Sequence, residues 1–273
     1  MSYKSIVVNL DVDGPIESVV KVASELAAAS RARLIGFCAA DAYLPVTGPE
    51  GAALVAQAWQ QMRDDDERRF KELREEFESL VAGVVKTEWH EALDRPTPAL
   101  VRMSRGADLI LTQALDGAAT GDTARIADPA GVVLQSGRPL LIVGTEKASV
   151  PARKAVVTWK DTKEARRALS DAVPLLQSAA EVTVVTVAST IDQPVRDSMA
   201  DVDAFLTWHG IRARGEAIES IDEVGSLLDF VDAQGADLVV SGAYGHSRLR
   251  EWIFGGITRS LLDRNRFSRF MSA

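Results

Sequence analysis

The hexapeptide Gly235-Ala-Asp-Leu-Val-Val repeats an earlier hexapeptide, Gly106-Ala-Asp-Leu-Ile-Leu, and differs from it only at the last two positions. In both places a glycine and an aspartate precede a short run of branched apolar residues, which is the pattern of a turn that leads into a buried strand. A near-literal repeat within one chain predicts an internal duplication, in which each copy forms one unit of the fold.

The segments that precede the two copies also follow one order. In the first half, Ser5-Ile-Val-Val-Asn-Leu is followed by apolar residues at helical spacing over residues 16–28 and then by Arg33-Leu-Ile-Gly-Phe-Cys. The second half repeats this order of strand, helix and strand over residues 154–187. Near-continuous apolar strands that alternate with helices are typical of a parallel sheet covered on both faces. The sequence therefore predicts two α/β domains in tandem.

The boundary between the domains is predicted from a change in composition. Gly137-Arg-Pro-Leu-Leu-Ile-Val-Gly predicts a last strand for the first half, and the polar residues 145–153 after it suit a short linker. We place the domains at residues 1–147 and 148–273. The second half ends in Phe267-Ser-Arg-Phe-Met-Ser-Ala, a weaker candidate for the matching last strand.

Composition restricts the functions open to this chain. Its 273 residues carry a formal net charge of -8, so a general nucleic-acid or membrane-surface role is disfavoured because anionic partners would be repelled. The single cysteine, Cys38, excludes an intramolecular disulfide and lies in an apolar run that favours a buried, inert thiol. No segment approaches the roughly 18 apolar residues of a membrane helix, so the sequence predicts a cytoplasmic protein.

The clearest functional pattern lies just after the second hexapeptide. The strand that ends at Ser241 is followed by Gly242 and Gly245, then by nine residues, then by Gly255 and Gly256 at the start of a predicted helix. Glycines let backbone pass close to a ligand, and ligands of open parallel sheets lie beyond the carboxyl ends of the strands. The pattern predicts an anion site, most simply for phosphate.

This pattern resembles the Gly-x2-Gly-x9-Gly-(Ser/Thr) nucleotide motif of the universal stress protein family, and the duplication resembles the tandem form of that family. The resemblance implies two doubly wound, Rossmann-like domains of the adenine nucleotide alpha hydrolase type. It implies ATP or AMP as ligand, with or without Mg²⁺, in the second domain. The family's Ser/Thr after the third glycine is Gly256 in this chain, and Thr258 is the nearest hydroxyl that follows.

The resemblance also assigns residues to parts of the nucleotide. The phosphates are expected at Gly242, Gly245, Gly255 and Gly256, with Thr258 and Arg248 assisting, and the base and ribose near Val187 and a strand-end acid. In the second half the acid's place falls either on Lys160 or, after a shift of one residue, on Asp161. We assign Asp161.

The first half keeps only part of the motif. Gly121, nine residues and Gly131 recover half of it, but Ala118 stands in place of the first glycine, and the aspartates nearby would repel a phosphate. Asp11 fits the strand-end acid of the family. We predict a degenerate site in this domain, which would serve as a structural partner of the second.

No catalytic machinery is evident in the sequence. The chain lacks a Gly-x-Ser-x-Gly elbow and a Walker-type Gly-Lys-Ser/Thr, and its three histidines have no partner at metal-ligand spacing, so no metal site is predicted. Together with this absence, the family resemblance implies a stress-response nucleotide sensor rather than an enzyme. Two alternatives remain: an interaction scaffold in which both sites have decayed, and a very slow ATP hydrolase. The two domains are expected to pair within the chain, and a further homodimer is left open.

Overall fold

A computed structural model describes residues 2–42, 52–113, 122–146, 151–243 and 256–273. In the first half, strands and helices alternate as predicted, and the helices α3 and α4 precede its last two strands. Its elements are β1 (Ser5–Leu10), α1 (Glu17–Ser30), β2 (Arg33–Ala40), α2 (Ala52–Leu80), β3 (Thr87–Leu93), α3 (Pro96–Met103), β4 (Leu109–Gln113), α4 (Pro129–Ser136) and β5 (Leu140–Val143).

The second half repeats this series. Its elements are β6 (Lys154–Thr158), α5 (Lys163–Leu176), β7 (Glu181–Ala188), α6 (Gln193–Trp208), β8 (Ala213–Glu219), α7 (Glu223–Gln234), β9 (Leu238–Gly242), α8 (Gly256–Leu262) and β10 (Ser268–Ser272). Side-chain oxygens cap three of its helices, because Thr162, Asp192 and Asp222 each accept a hydrogen bond from an amide in the first helical turn.

The strands form one ten-stranded sheet in the order β3-β2-β1-β4-β5-β10-β9-β6-β7-β8. Within each half all neighbouring strands are parallel, and the halves meet where β5 and β10 pair antiparallel. Each half therefore has the doubly wound α/β topology that was predicted. The domain boundary at residues 147 and 148 lies outside the described residues.

Both faces of the sheet are covered by helices. One apolar cluster joins α1, α2, α5 and α6 to alternate strand residues such as Val8 and Val157. A second cluster joins α3, α4, α7 and α8 to the intervening residues, such as Val7 and Val156. This burial on both faces explains why the central strands are almost wholly apolar. None of the described helices combines the length and the apolar character that crossing a membrane requires.

The two aspartates of the repeated hexapeptides show which residues of the two halves are equivalent. The Asp108 carboxylate accepts hydrogen bonds from the amides of Lys4 and Ser5, at 2.7 and 3.1 Å. The Asp237 carboxylate accepts from the amides of Arg153 and Lys154, at 2.9 and 2.8 Å. Each aspartate thus joins the start of the fourth strand of its half to the start of the first.

This pairing makes Ser5 equivalent to Lys154, and the parallel register then makes Asp11 equivalent to Lys160.

The weak strand candidate at the end of the chain is a central strand. All five residues of β10 are buried between β5 and β9. The segment was a weak candidate because Arg269 interrupts its apolar run. In the structure Arg269 is fully buried, and its guanidinium donates to the carbonyl oxygens of Leu262 and Arg264 at the end of α8. A cation at this position interacts favourably with the carboxyl end of a helix, which offsets part of the cost of burying it.

Candidate functional site

A cavity of about 240 Å³ lies at the carboxyl ends of β6, β7 and β9 in the second half. β6 lies between β7 and β9, and the chain leaves it towards one neighbour and returns to the other, which makes this position a topological switch point. Ligands of doubly wound sheets bind at such crevices. The cavity therefore lies where this fold is best suited to hold a ligand.

The cavity is lined by both apolar and polar residues. Its apolar wall consists of residues such as Trp159, Val185, Val187 and Leu227. Hydroxyls and a charged pair also line it, contributed by Thr158, Thr162, Ser241, Thr258, Lys160 and Glu223. This combination suits a ligand that combines an aromatic ring system with hydrogen-bonding or anionic groups.

The structure brings four of the predicted site residues together at this cavity. Gly242 ends β9, Val187 lies near the end of β7, and Gly256 and Thr258 form the first turn of α8. These residues come from three elements that are distant in sequence. Gly245, Arg248 and Gly255 lie outside the described residues.

Gly242 lines the cavity, and the packing of β9 against α5 requires a glycine at this position. A Cβ atom built on Gly242 would lie 2.5 Å from the amide nitrogen of Ala165 and 2.6 Å from the carbonyl carbon of Glu164. Both atoms belong to the backbone at the start of α5, which Thr162 caps through its hydroxyl. The sequence pattern predicts this glycine for the approach of a ligand, but its close neighbour in the structure is the chain itself.

Lys160, and not Asp161, occupies the strand-end position of the second half. Lys160 lines the cavity, and its Nζ lies 2.9 Å from Oε2 of Glu223, the first residue of α7. Asp161 lies outside this cavity and pairs with Arg166 at 2.8 Å. It lines a separate groove of about 360 Å³ between α5 and α6. The alignment of the two halves also assigns this position to Lys160, because Lys160 is equivalent to Asp11.

In the first half, the corresponding strand ends are held by the chain itself. The amide of Asp41 donates to the carbonyl oxygen of Ala124 at 2.8 Å. Arg125 reaches Asp13 at 2.9 Å and the buried Asp66 of α2 at 2.8 Å. The segment that precedes α4 is thus fastened across the ends of β1 and β2.

The two carboxyl groups after β1 differ in electrostatics. Burial raises the pKa of Asp11 to about 7, although hydrogen bonds from Asn9 and from the amide of Ala127 oppose the shift. The hydrogen bond from Arg125 holds the pKa of Asp13 below its ordinary value. Near neutral pH, Asp11 is therefore the one of these two groups that gains or loses a proton.

The amides at the start of α4 donate to a carboxylate of the chain itself. Asp128 accepts hydrogen bonds from the amides of Ala130 and Gly131, at 3.0 and 2.9 Å. These are the amides that a phosphate would need at this position. Ala118 and Gly121, which belong to the degenerate motif, lie outside the described residues.

Two residues of the cavity, Glu223 and Trp159, could not be assigned to it from the sequence. Glu223 belongs to no motif, and its only signal is its position at the start of the helix that follows Asp222. Trp159 directly follows β6, and its ring nitrogen donates to the hydroxyl of Ser198 at 2.8 Å; a single tryptophan after an apolar run does not by itself predict a binding surface. Within the described ranges, no group of three or more His, Cys, Asp or Glu side chains could hold a metal ion.

Comparison with solved structures identifies the fold. A universal stress protein from Archaeoglobus fulgidus DSM 4304 matches 98% of this chain over 95% of its own, with a TM-score of 0.76 and 14% identity. A functionally unknown protein from Pseudomonas aeruginosa PAO1 matches 99% over 92% of its own, with a TM-score of 0.58 and 16% identity. No protein-family model and no curated protein matches the sequence. The predicted resemblance is confirmed at the level of the fold, which extends over essentially the whole chain.

Proposed function

We propose that this protein is a stress-response adenine-nucleotide-binding protein, with its ligand in the second domain. The observation that carries the proposal is the cavity at the switch point, where Gly242, Gly256, Thr258 and Val187 converge from β9, α8 and β7. Its apolar wall would receive the base, and its glycines and hydroxyls would receive the phosphates.

The ligand is ATP or AMP in this proposal, and Mg²⁺ is not part of it. The described cavity offers a single carboxylate, Glu223, which is already paired with Lys160. Mg²⁺ in nucleotide sites is usually held by one or two carboxylates together with the phosphates. A sensor needs no metal or turnover, because occupancy alone can shift the balance between two conformations.

We assign the first domain, residues 1–147, a structural role. Arg125 binds Asp13 after its first strand, and Asp128 caps its last helix. The strand ends and the helix amides that would bind a nucleotide are thus already bonded within the chain. The second domain, residues 148–273, pairs with it through β5 and β10. This pairing within one chain would replace the dimer of single-domain relatives.

The test compares two nearly isosteric substitutions at one cavity residue. Among the described residues, a Cβ added to Gly256 would meet only a side-chain methyl group, Cγ2 of Val224 at 3.2 Å, which needs to shift by a few tenths of an ångström. Gly256→Asp adds a negative charge to the cavity, whereas Gly256→Asn adds almost the same volume without the charge. ATP and AMP are titrated into the wild type and both variants by calorimetry, and nucleotide released on denaturation is identified by mass spectrometry.

We expect the Asn variant to bind within a few-fold of the wild type and the Asp variant to bind at least about tenfold more weakly, since it sets a carboxylate against a phosphate. Equal binding by the two variants would exclude a phosphate at Gly256. A wild-type protein that releases no nucleotide and binds neither ATP nor AMP would refute the proposal and favour the scaffold alternative.

A further inference from the structure

The groove between α5 and α6 has the size and lining of a ligand pocket. Its volume of about 360 Å³ is within the range of pockets that hold small organic molecules. Its apolar lining consists of Trp159, Leu169, Val202 and Phe205. Of the described residues that line the groove, Trp159 alone also lines the cavity at the strand ends. The groove is therefore a second space, large enough for an aromatic ring with a short substituent.

The corresponding place in the first half is closed by the chain. Val12 and Asp161 directly follow the equivalent positions of the two halves, and Val12 is completely buried. Nε of Arg69, on α2, donates to the carbonyl oxygen of Val12 at 3.0 Å. The next residue of α2, Phe70, is buried in the same apolar cluster as Val12. In the second half, by contrast, Asp161 borders an open groove.

The groove carries more negative than positive charge. Its charged lining residues are Asp161, Asp201 and Arg166. Arg166 donates through Nε and Nη2 to one oxygen, Oδ1 of Asp161, at 3.1 and 2.8 Å. Asp201 has no hydrogen-bond or ion-pair partner among the described residues. Because the one guanidinium is paired with Asp161, Coulomb attraction in the groove favours a ligand with a cationic group.

Asp201 lies on the same face of α6 as the apolar lining. Ser198, Asp201, Val202 and Phe205 have the spacing i, i+3, i+4 and i+7, which places them along one side of a helix. Asp201 is thus next to Val202 and about one turn from Phe205. A ligand that packs its ring against this face has its substituent close to the carboxylate.

We propose that this groove is a second ligand site and that it binds an arylalkylamine. The aromatic ring packs against Trp159 and Phe205, and the ammonium pairs with Asp201. A neutral aromatic ligand leaves the carboxylate of Asp201 without a partner, and an aromatic carboxylate is repelled by it. The site does not depend on nucleotide binding, because Asp201 lines the groove and not the cavity.

The experiment compares three ligands of nearly equal size and different charge. Phenethylamine, phenethyl alcohol and phenylacetate are titrated into the full chain, and binding is followed by the indole N–H signals in proton–nitrogen correlation spectra. The signal of Trp159, whose ring nitrogen donates to Ser198, is assigned by its absence from Trp159→Phe. Asp201→Asn removes the charge and keeps the shape. Asp203→Asn is the matched control, because Asp203 is an exposed residue of the same helix that does not line the groove.

We expect phenethylamine to shift the Trp159 signal and to bind the wild type about fivefold more tightly than phenethyl alcohol, as one partly exposed ion pair provides. Phenylacetate should bind more weakly than either. Asp201→Asn should remove the difference between the amine and the alcohol, and Asp203→Asn should keep it. Asp201→Lys should reverse the order in favour of phenylacetate. Urea unfolding of each variant verifies that it is folded.

Equal binding of the amine and the alcohol by the wild type would overturn this proposal, and so would a preference for the amine that survives Asp201→Asn. An unshifted Trp159 signal at about 10 mM phenethylamine would overturn it as well, since a fitted pocket binds a ligand of this size more tightly than that. The titrations of ATP and AMP test the proposed function separately, so either proposal can fail without the other.

Discussion

Replacing Gly242 by alanine tests whether this glycine serves the fold or a ligand. The added Cβ would lie 2.5 Å from the amide nitrogen of Ala165, a separation that van der Waals repulsion does not allow. Because the obstructing atoms are backbone at the start of α5, relief requires a shift of the helix or of β9. Overpacking of this kind costs about 1–3 kcal/mol.

The assay is unfolding of the ligand-free protein, followed in urea and by heating. We expect Gly242→Ala to lower the free energy of unfolding by about 1–3 kcal/mol, which corresponds to roughly 2–12 °C in the thermal midpoint. Gly256→Ala is the control, because among the described residues its Cβ would approach a side-chain methyl group of Val224, at 3.2 Å, and no backbone atom. Its unfolding midpoint should change by less than that of Gly242→Ala.

An unchanged midpoint for Gly242→Ala would refute the packing argument. In that case the glycine would be required only for the approach of a ligand, and its replacement would affect nucleotide affinity alone. A loss of stability without ligand separates the two roles, because clearance for an absent ligand cannot change the unfolding of the free protein.

Two further predictions concern carboxyl groups of the first half. Because the pKa of Asp11 rises from 3.8 to about 7 on folding, its contribution to stability is full below about pH 4 and is lost as the pH rises through 7. Asp11→Asn should therefore be more stable than the wild type at pH 8, by at most about 4 kcal/mol given the partial exposure of the group, and the gain should shrink towards pH 5; a pH-independent difference in urea midpoints would contradict this. Asp128→Ala leaves the amides of Ala130 and Gly131 without their acceptor and should lower the free energy of unfolding by about 0.5–2 kcal/mol, whereas Asp128→Asn, which keeps a cap, should lose less. Equal losses for these two substitutions in urea unfolding would show that the cap is not the cause.

The alternation of strands and helices could be predicted because burial on both faces demands it. Strands such as Ser5–Leu10 are buried along their whole length and therefore appear in the sequence as continuous apolar runs. The last strand was harder to predict, because Arg269 interrupts its apolar run. The reason it is tolerated, donation to the carbonyl groups at the end of α8, depends on contacts that the local pattern does not contain.

The candidate site could be predicted only in part. The spacing of the glycines pointed to Gly242 and Gly256, and the family resemblance pointed to Val187; all three line the cavity. The strand-end position was assigned to Asp161, whereas the structure places Lys160 there, because the choice depends on a register that the hydrogen bonds of Asp237 fix. Glu223 could not be predicted, because it reaches the cavity from a helix 63 residues after Lys160.

The pairing of β5 with β10 also bears on how the two halves of a duplicated chain can come to differ in sequence. In the antiparallel pairing of β5 with β10, Leu141 lies opposite Phe270, and these are equivalent positions of the two repeats. A two-fold relation of this kind is the geometry of an isologous dimer, whose subunits must carry the same residue at every position. Covalent linkage removes both that constraint and the dependence of association on concentration.

The pair Leu140 and Arg269 illustrates the result. They are equivalent positions, so an identical-subunit dimer with an arginine there would bury two guanidinium groups at its interface. The single chain buries one guanidinium group. The ends of the first strands of the two halves also differ, with Asp11 in one and Lys160 in the other.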